Sequence, residues 1–253
     1  MEEIFSRNVL FWGEEFQNYL KNKNIFVFGL GGVGGFALDS LARAGIENFT
    51  IIDFDTVSKN NINRQLVAQI STVGKKKTEL FEKKLKDINP NIKIKTIDDF
   101  FEEEDIETVF SQKPDFIIDA IDSLKSKIKL IKYAKTNDIP IITSFGAGNR
   151  LDCTKLKLTD IKEIKSNDQF IKNVLSKLKK EEITQDLTVV WSEEKAHNEK
   201  KIKNIETIKK QNGNVVELTK YTPASTPFVP AVCGYMMGNW VILELRKNFL
   251  QHM

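Results

Sequence analysis

Short apolar runs alternate with amphipathic stretches along the first part of the chain. A short apolar run is typical of a buried strand, and apolar residues three or four positions apart are typical of a helix. The predicted strands are 24–28, 49–52, 92–97, 116–118 and 140–144, and the predicted helices are 33–44, 74–88 and 123–137. This alternation predicts βαβ units, and therefore an α/β fold with a doubly wound, mostly parallel Rossmann-like sheet. Ligands of such sheets bind at the carboxyl ends of the strands.

The pattern weakens after residue 150. Strands at 155–158 and 188–191 and a helix at 169–180 are predicted there. The segment 192–211 is almost wholly polar or charged, so we expect a mobile surface excursion rather than a core element.

The segment 221–243 contains no charged residue and is long enough to cross a bilayer. Three prolines interrupt its first half, however, and the unbroken stretch 231–245 is nearer to the length of a buried core helix. We expect a C-terminal extension that ends in a buried apolar helix at 231–249, and no contact with a membrane.

The composition, 41% hydrophobic and 29% charged, is that of a soluble globular domain, which excludes a disordered chain. The formal net charge of +3 is too small to dictate binding of nucleic acid. Residues 1–150 carry 21 basic and 22 acidic side chains and residues 151–253 carry 17 and 13, so the positive excess lies in the C-terminal part. Eight lysines lie within 155–180. A solvated lysine-rich surface and a surface that contacts an RNA backbone are the two alternatives for them.

The chain has two cysteines, Cys153 and Cys233, far apart and outside any C-x-x-C pair. This spacing argues against a disulfide framework and a cysteine-based zinc site. The N-terminus lacks the basic start and apolar run of a signal peptide, so we expect a cytoplasmic protein. Cys233 lies in the apolar terminal helix, where a buried thiol is the default, and no catalytic cysteine is expected.

A glycine-rich segment follows the first predicted strand and opens the first predicted helix. Glycines let the backbone turn tightly and approach a phosphate, and the helix N-terminus offers N–H groups and a positive dipole end. The candidate nucleotide-binding positions are Gly29, Gly31, Gly32 and Gly34. This pattern fits NAD as well as ATP.

Asp53 ends the second predicted strand, where a carboxylate can accept hydrogen bonds from ribose hydroxyls. Beyond it, Arg64 can grip phosphate oxygens in a bidentate fork, and Lys77 can supply a positive charge at a phosphoryl centre. Two cations near a glycine-rich loop favour displacement at phosphorus over hydride transfer. A nicotinamide-dependent oxidoreductase remains an alternative.

The strand 116–118 leads to Asp119 and, three residues later, to Asp122. A carboxylate at such a strand end can hold Mg²⁺, which would bridge nucleotide phosphates. Asp122 directly precedes Ser123 and a predicted helix, so capping of that helix is the alternative role.

Five motifs, in this order and spacing, resemble those of the E1-like (ThiF-type) adenylating enzymes related to ubiquitin activation. They are G-x-G-G-V-G from Gly29, I-I-D-F-D ending at Asp55, N-x-N-R-Q from Asn61 to Gln65, V-G-x-x-K ending at Lys77, and D-x-x-D from Asp119. Bacterial members of this family use ATP to activate a carboxylate as an acyl adenylate.

The resemblance implies a role for each matching residue. ATP would be bound by the glycine loop and by Asp53, Asp55, Asn61 and Gln65. The catalytic residues would be Arg64, Lys77 and Asp122, with Asp122 as the Mg²⁺ ligand. Phe5-Ser6-Arg7 is similar to the segment whose arginine reaches the nucleotide site of the other subunit, so the resemblance also implies a homodimer and a catalytic role for Arg7.

Further stretches resemble one branch of the family, the tRNA threonylcarbamoyladenosine dehydratases. They are 88–90, 98–100, 118–123, 145–148, 158–161, 189–194 and 228–232. The resemblance therefore covers nearly the whole chain. It implies a single E1-like domain over 1–253, with a nucleotide-binding adenylation core at 24–150 and a lysine-rich extension with a terminal helix at 151–253.

The implied reaction is ATP-dependent dehydration, by cyclisation, of N6-threonylcarbamoyladenosine in tRNA, with release of AMP and pyrophosphate. The main alternative is adenylation of the C-terminus of a ubiquitin-like sulfur-carrier protein, although such members commonly carry paired C-x-x-C zinc ligands that are absent here. A non-catalytic RNA-binding module is a third interpretation. Docking of a sulfur-transfer partner protein is left open.

Overall fold

A seven-stranded sheet lies at the centre of the computed structural model, which describes residues 3–197, 202–210 and 213–251. The strands are β1 (Asn24–Phe28), β2 (Asn48–Ile52), β3 (Lys93–Ile97), β4 (Phe116–Asp119), β5 (Ile141–Phe145), β6 (Leu156–Asp160) and β7 (Thr188–Ser192). Their order across the sheet is β3-β2-β1-β4-β5-β7-β6, and all neighbouring pairs are parallel except β6 with β7. The predicted fold class, a doubly wound and mostly parallel sheet, is confirmed.

Helices cover both faces of this sheet. They are α1 (Ser6–Trp12), α2 (Glu14–Lys21), α3 (Gly34–Ala44), α4 (Lys77–Ile88), α5 (Ile106–Val109), α6 (Leu124–Thr136), α7 (Gln169–Lys180) and α8 (Phe228–Gln251). Successive residues of β1 belong to different apolar clusters: Ile25 and Val27 pack with α3 and α8, whereas Phe26 and Phe28 pack with α6 and α7. This alternation follows from the two-residue period of a strand, which places a core on each face.

The predicted elements of the core agree with the observed ones to within about two residues, with two larger differences. The helix predicted at 74–88 begins at Lys77, because Gly74 has a φ of +87° and Lys76 has an extended backbone, so the residues before Lys77 form a turn. The terminal helix is longer than predicted and runs from Phe228 to Gln251.

The predicted excursion at 192–211 contains regular structure outside the seven-stranded sheet. Strand β8 (Ile202–Lys209) pairs antiparallel with β9 (Val215–Thr222) in a separate two-stranded sheet. Because ladder hydrogen bonds join backbones, a polar sequence with no apolar run can form such a hairpin. Residues 198–201 and 211, also within that predicted segment, lie outside the described residues.

The hairpin is fixed to the rest of the molecule at both ends. Lys210, which follows β8 and is buried, donates to Glu104 at 2.9 Å and to Asp105 at 2.7 Å. After β9, the Ser225 carbonyl accepts a hydrogen bond from Asn63 Nδ2 at 2.8 Å. These contacts tie the C-terminal part of the chain to two loops of the N-terminal half.

Helix α8 packs closely along α3. A Cβ added at Gly234 would lie 2.3 Å from the Val33 carbonyl oxygen, and one at Gly238 would lie 2.2 Å from Ser40 Oγ. Glycine at both positions therefore lets the helix backbones approach. Among the described residues, α8 is the one helix that is long and apolar enough to cross a membrane, which is weak evidence by itself. Its buried face against α3 agrees with the predicted core helix.

Candidate nucleotide site

The order of the strands reverses between β1 and β4, because the chain continues from β1 to β2 on one side and from β4 to β5 on the other. In open α/β sheets such a reversal opens a crevice at the carboxyl ends of the strands, where ligands bind. The glycine loop follows β1, Asp53 follows β2, and Asp122 follows β4. The fold therefore brings these three predicted features to one edge of the sheet.

The glycine loop is packed against the turn that follows β4. Gly29 has a φ of +85°, and a Cβ added there would lie 2.7 Å from the carbonyl oxygen of Ala120. A Cβ at Gly34 would lie 1.8 Å from the carbonyl oxygen of Gly29. A side chain at either position would force the loop apart, so both glycines are required by close backbone approach.

The carboxylate of Asp53 is buried and fastens the glycine loop to the end of β2. Its Oδ2 accepts a hydrogen bond from the Leu30 N–H at 2.6 Å, and its Oδ1 accepts one from the Asp55 N–H at 2.8 Å. Burial raises the pKa of Asp53, and the positive charge of Lys77 together with these two N–H groups opposes that rise. The predicted contact of Asp53 with a ribose stays a prediction.

Lys77 is the first residue of α4, and its side chain is only 3% exposed. Its Nζ lies 2.7 Å from Asp55 Oδ2 and 3.8 Å from Asp53 Oδ1. Three predicted site residues therefore form one contact cluster. The late start of α4 produces it, because the preceding turn points the Lys77 side chain inwards and leaves Lys76 at the surface.

Arg64 lies beside the glycine loop, and its Cγ would be 3.4 Å from a Cβ at Gly32. Its guanidinium donates to the Asn60 carbonyl at 2.7 Å and to Asn63 Oδ1 at 2.9 Å. Burial lowers the pKa of Arg64, as expected for a charge that has lost part of its water. The residue therefore places a positive charge at the predicted phosphate-binding loop.

Asn61 and Gln65 are both buried near Arg64. The side chain of Asn61 has a local role, since its Oδ1 accepts from the Ser58 N–H at 3.2 Å and closes a short turn. Gln65 differs, because its Oε1 is buried without a hydrogen-bond partner among the described residues. A buried acceptor without a partner is costly, so a ligand that donates a hydrogen bond there would restore the lost interaction.

Asp119 and Asp122 have different environments. Asp119 is fully buried, and its Oδ2 accepts from Lys127 Nζ and from Thr143 Oγ1, each at 2.6 Å. Asp122 is exposed at the crevice end of the turn. The N-cap position of α6 is held by Ser123, one residue after Asp122, and the side chain of Ser123 makes no capping hydrogen bond.

The reasoning from sequence missed Lys127, which the structure buries completely. A signal was present, because Lys127 lies on the same face of α6 as Ile131 and Ala134, where a lysine is out of place. A charge there requires a buried partner, and the nearest acidic residue in the sequence that ends a strand is Asp119.

Arg7 and the two cysteines differ in their burial. Arg7 is on the exposed surface of α1. Cys233 is buried in α8, and burial raises the pKa of its thiol to about 12. Cys153 is partly buried and packs against the cluster that contains α3 and α8. The burial of Cys233 makes its thiol a poor nucleophile, and the absence of a catalytic cysteine stays a prediction.

The donors for a metal ion are few. No group of three or more His, Cys, Asp or Glu side chains suited to a metal occurs in the ranges that the structure covers. Mg²⁺ is usually bound by one or two carboxylates together with substrate phosphates rather than by a protein cage. A single exposed carboxylate such as Asp122 therefore fits a magnesium–nucleotide complex better than a resident metal.

Comparison with known proteins gives matches along nearly the whole chain. The model of the ThiF family matches residues 5–247. The tRNA threonylcarbamoyladenosine dehydratase of Bacillus subtilis is 39% identical over 247 residues, which cover 96% of this chain and 95% of that protein.

A solved structure of Escherichia coli tRNA N6-threonylcarbamoyladenosine dehydratase, in complex with ATP, superposes with a TM-score of 0.84 at 26% identity and covers 99% of this chain and 97% of that one. The molybdopterin-synthase adenylyltransferase of Escherichia coli is 31% identical over 150 residues, which cover 58% of this chain and 59% of that protein. The similarity to the dehydratases thus includes the C-terminal part, whereas the similarity to the adenylyltransferase covers little more than half of the chain.

Proposed function

The chain belongs to the ThiF family, and from this premise we propose that it catalyses the ATP-dependent dehydration of N6-threonylcarbamoyladenosine in tRNA. The observation that carries the proposal is the match to the Bacillus subtilis dehydratase along 96% of the chain. The positions of the glycine loop, Arg64 and Lys77 around one crevice support it, since this chemistry needs a site for nucleotide phosphates. A cytoplasmic location, where tRNA is found, stays a prediction.

The reaction needs activation because a carboxylate is a poor electrophile. An oxygen of the threonyl carboxylate attacks the α-phosphorus of ATP, the bond from that phosphorus to the bridging oxygen breaks, and pyrophosphate leaves. The carbamoyl nitrogen of the same side chain then attacks the acyl adenylate carbonyl and loses its proton, and the bond to AMP breaks. The product is a ring that has lost one water, and the intramolecular attack benefits from a high effective molarity.

The residues of the crevice supply binding and charge rather than a covalent intermediate. The glycine loop cradles the phosphates, and Arg64 and Lys77 stabilise the negative charge that grows during adenylate formation. Asp53 and Asp55 hold Lys77 in place. Asp122 would hold Mg²⁺, which when bound neutralises phosphate charge. Neither cysteine is needed as a nucleophile.

Arg7 would enter the site of a second subunit. On α1, Leu10 is 88% exposed and Phe11 is 74% exposed. Residues three and four positions apart share a helix face, so these apolar side chains lie on the same face as Arg7. A second copy that covers Leu10 and Phe11 would receive Arg7 at the contact, which supports the homodimer.

A sulfur-transfer partner protein stays a prediction. The thiol of Cys233 is buried and therefore offers such a partner no accessible sulfur. Adenylation of a ubiquitin-like sulfur carrier is the second candidate function, and it is favoured only by the partial match to the adenylyltransferase.

The decisive test is mass analysis of nucleosides from tRNA that carries threonylcarbamoyladenosine, after incubation with the protein, ATP and Mg²⁺. The expected result is loss of one water from that nucleoside, with pyrophosphate released only when the modified tRNA is present. Unmodified tRNA is the matched control. If a carrier protein with a free Gly-Gly terminus triggers pyrophosphate exchange and modified tRNA does not, the proposal is overturned in favour of carrier activation. Titrating the protein with NAD and with ATP tests the oxidoreductase alternative, because an oxidoreductase should bind NAD tightly.

A further inference from the structure

Helix α7 carries four lysines and no acidic residue. These residues, which we call the α7 lysines, are Lys172, Lys177, Lys179 and Lys180. All four are exposed, and none has an ion pair with another residue in the part of the chain that the structure describes.

Several exposed lysines on other helices are paired with acidic side chains, although Lys83 on α4 has no ion pair among the described residues. On α4, Lys86 lies 2.6 Å from Glu82. On α6, Lys125 lies 2.9 Å from Glu102, and Lys132 lies 2.7 Å from Glu181. A surface that only needs to be soluble is served by mixed charges, whereas like charges near one another on a helix repel. The α7 lysines therefore form a positive surface without a direct ion pair in the described part of the protein, although Glu181 and Glu182 directly follow the helix.

The start of α7 is fixed to the crevice edge of the sheet. Asp168 caps the helix by accepting the Ile171 N–H at 3.1 Å, and it also binds Arg150 at 2.9 Å in the loop after β5. The helix is about 18 Å long at about 1.5 Å per residue. The α7 lysines thus begin within a turn of the edge that holds the nucleotide site and extend away from it along the outside of the molecule.

The apolar face of α7 is not available to a membrane. Its apolar residues are fully buried in the cluster that α6 and α7 form against one face of the sheet. They are Ile171, Val174 and Leu178. A helix that binds a bilayer must present apolar side chains beside its basic ones. A hydrated polyanion, by contrast, requires only the exposed ammonium groups.

We propose that the α7 lysines bind the phosphate backbone of the tRNA whose modified nucleoside enters the crevice. The proposal rests on the proposed function, because it takes tRNA as the substrate. It chooses between the two alternatives that the sequence left open for the lysine-rich segment, and it favours RNA contact over a merely solvated surface.

The test compares two variants that lose the same charge. In the first, the α7 lysines are all replaced by glutamine. In the control, Lys83, Lys86, Lys93 and Lys95 are replaced by glutamine, and these exposed residues lie on α4 and β3, towards the opposite edge of the sheet. Binding of tRNA is measured by fluorescence anisotropy at several salt concentrations, and kcat, the KM for modified tRNA and the affinity for ATP are measured for both variants.

For the α7 variant, we expect the KM for tRNA to rise about tenfold or more, with kcat at saturating tRNA and ATP affinity unchanged. The slope of log affinity against log salt should fall by about 3, since each lost phosphate contact contributes about 0.7 to 0.9. The control variant should match the wild type.

An α7 variant with the wild-type salt slope and the wild-type KM for tRNA would overturn the proposal. Binding to vesicles of anionic lipid is measured as well, and an α7 variant that loses vesicle binding while its tRNA binding is unchanged would also overturn it. If the wild type binds tRNA but never dehydrates it, the proposed function fails, while the slopes still decide whether α7 is the RNA surface.

Discussion

Lys127 Nζ lies 2.6 Å from Asp119 Oδ2, and neither side chain is exposed to solvent. Thr143 Oγ1 donates to the same carboxylate oxygen, and the Ile121 N–H donates to the other at 3.1 Å. The buried pair therefore fixes the turn that leads from β4 to Asp122 and that also packs against Gly29. The sequence did not predict that Lys127 and Asp119 pair with each other. This pair nevertheless sets the shape of the turn at the predicted magnesium and phosphate site.

Replacing Lys127 by methionine should lower the free energy of unfolding by about 3 to 5 kcal/mol, because the Asp119 carboxylate is left buried without its charge partner. The double variant Lys127→Met/Asp119→Asn should lose less free energy of unfolding than the sum of the two single variants, since it buries no unpaired charge. Urea unfolding of the two single variants, the double variant and the wild type measures this coupling. Additive losses in the double variant would contradict the interpretation.

Replacing Lys77 by alanine should reduce tRNA-dependent pyrophosphate release by about 100-fold or more, the usual cost of removing a group that stabilises developing charge. The matched control is Lys76→Ala, which removes the neighbouring exposed lysine that lies 2.7 Å from Asp98. The control should retain most activity. Thermal unfolding of both variants separates loss of chemistry from loss of fold, and equal activity in the two would exclude the role of Lys77.

Replacing Cys233 by alanine should leave most of the dehydratase activity. With a thiol pKa of about 12, Cys233 stays protonated at neutral pH and is also shielded from reagents. Alkylation of the native protein should therefore modify the partly buried Cys153 first, as judged by mass analysis of peptides. Loss of adenylate turnover in a folded Cys233→Ala variant would reveal a role for the thiol that the structure does not suggest.

Arg7 should act on the site of the other subunit. Arg7→Ala and Lys77→Ala homodimers should each be nearly inactive, but a mixture that exchanges subunits should recover activity. Each heterodimer then contains one site with an intact Lys77 and an intact Arg7, so about one quarter of the wild-type activity per site is expected from random pairing. No recovery after verified subunit exchange would place Arg7 in its own subunit or outside the reaction.

The contact between Asp168 and Arg150 should stabilise the protein only when the aspartate is ionised. Burial acts to raise the pKa of Asp168, but hydrogen bonds from Arg150 and the Ile171 N–H outweigh it and hold the pKa below its usual value. A depressed folded-state pKa stabilises the fold above the unfolded-state pKa, and this contribution is lost as the pH falls through the folded-state value.

Asp168→Asn should therefore lower the free energy of unfolding by about 2 kcal/mol at pH 7, the scale of a hydrogen bond to a charged group. The difference from the wild type should shrink towards zero in acid, as measured by denaturant unfolding at a series of pH values. A difference that is independent of pH would show that the charge of Asp168 is not what matters.

Much of the fold was predictable from local patterns. The strand at 24–28 and the helix at 169–180 have the predicted bounds because apolar periodicity is written in consecutive residues. The glycine loop was predictable because tight backbone approach at Gly29 and Gly34 leaves no room for a side chain. The order of motifs indicated the family, and the family model matches residues 5–247.

Other features depend on residues far apart in the chain. The antiparallel pairing of β6 with β7 and the anchoring of Lys210 by Glu104 and Asp105 arise from pairings that no local window contains. Polar sequences form these elements because their partners satisfy backbone and side-chain groups.

The sequence by itself determined the parallel core, the glycine loop and the types of residue at the candidate nucleotide site. Only the tertiary structure decided that Lys77 sits between Asp53 and Asp55, that Lys127 is buried against Asp119, and that the α7 lysines remain unpaired within the described residues. The physical reason is that periodicity and glycine content are local properties of a chain, whereas the burial and pairing of a charge depend on which distant residues the fold places beside it.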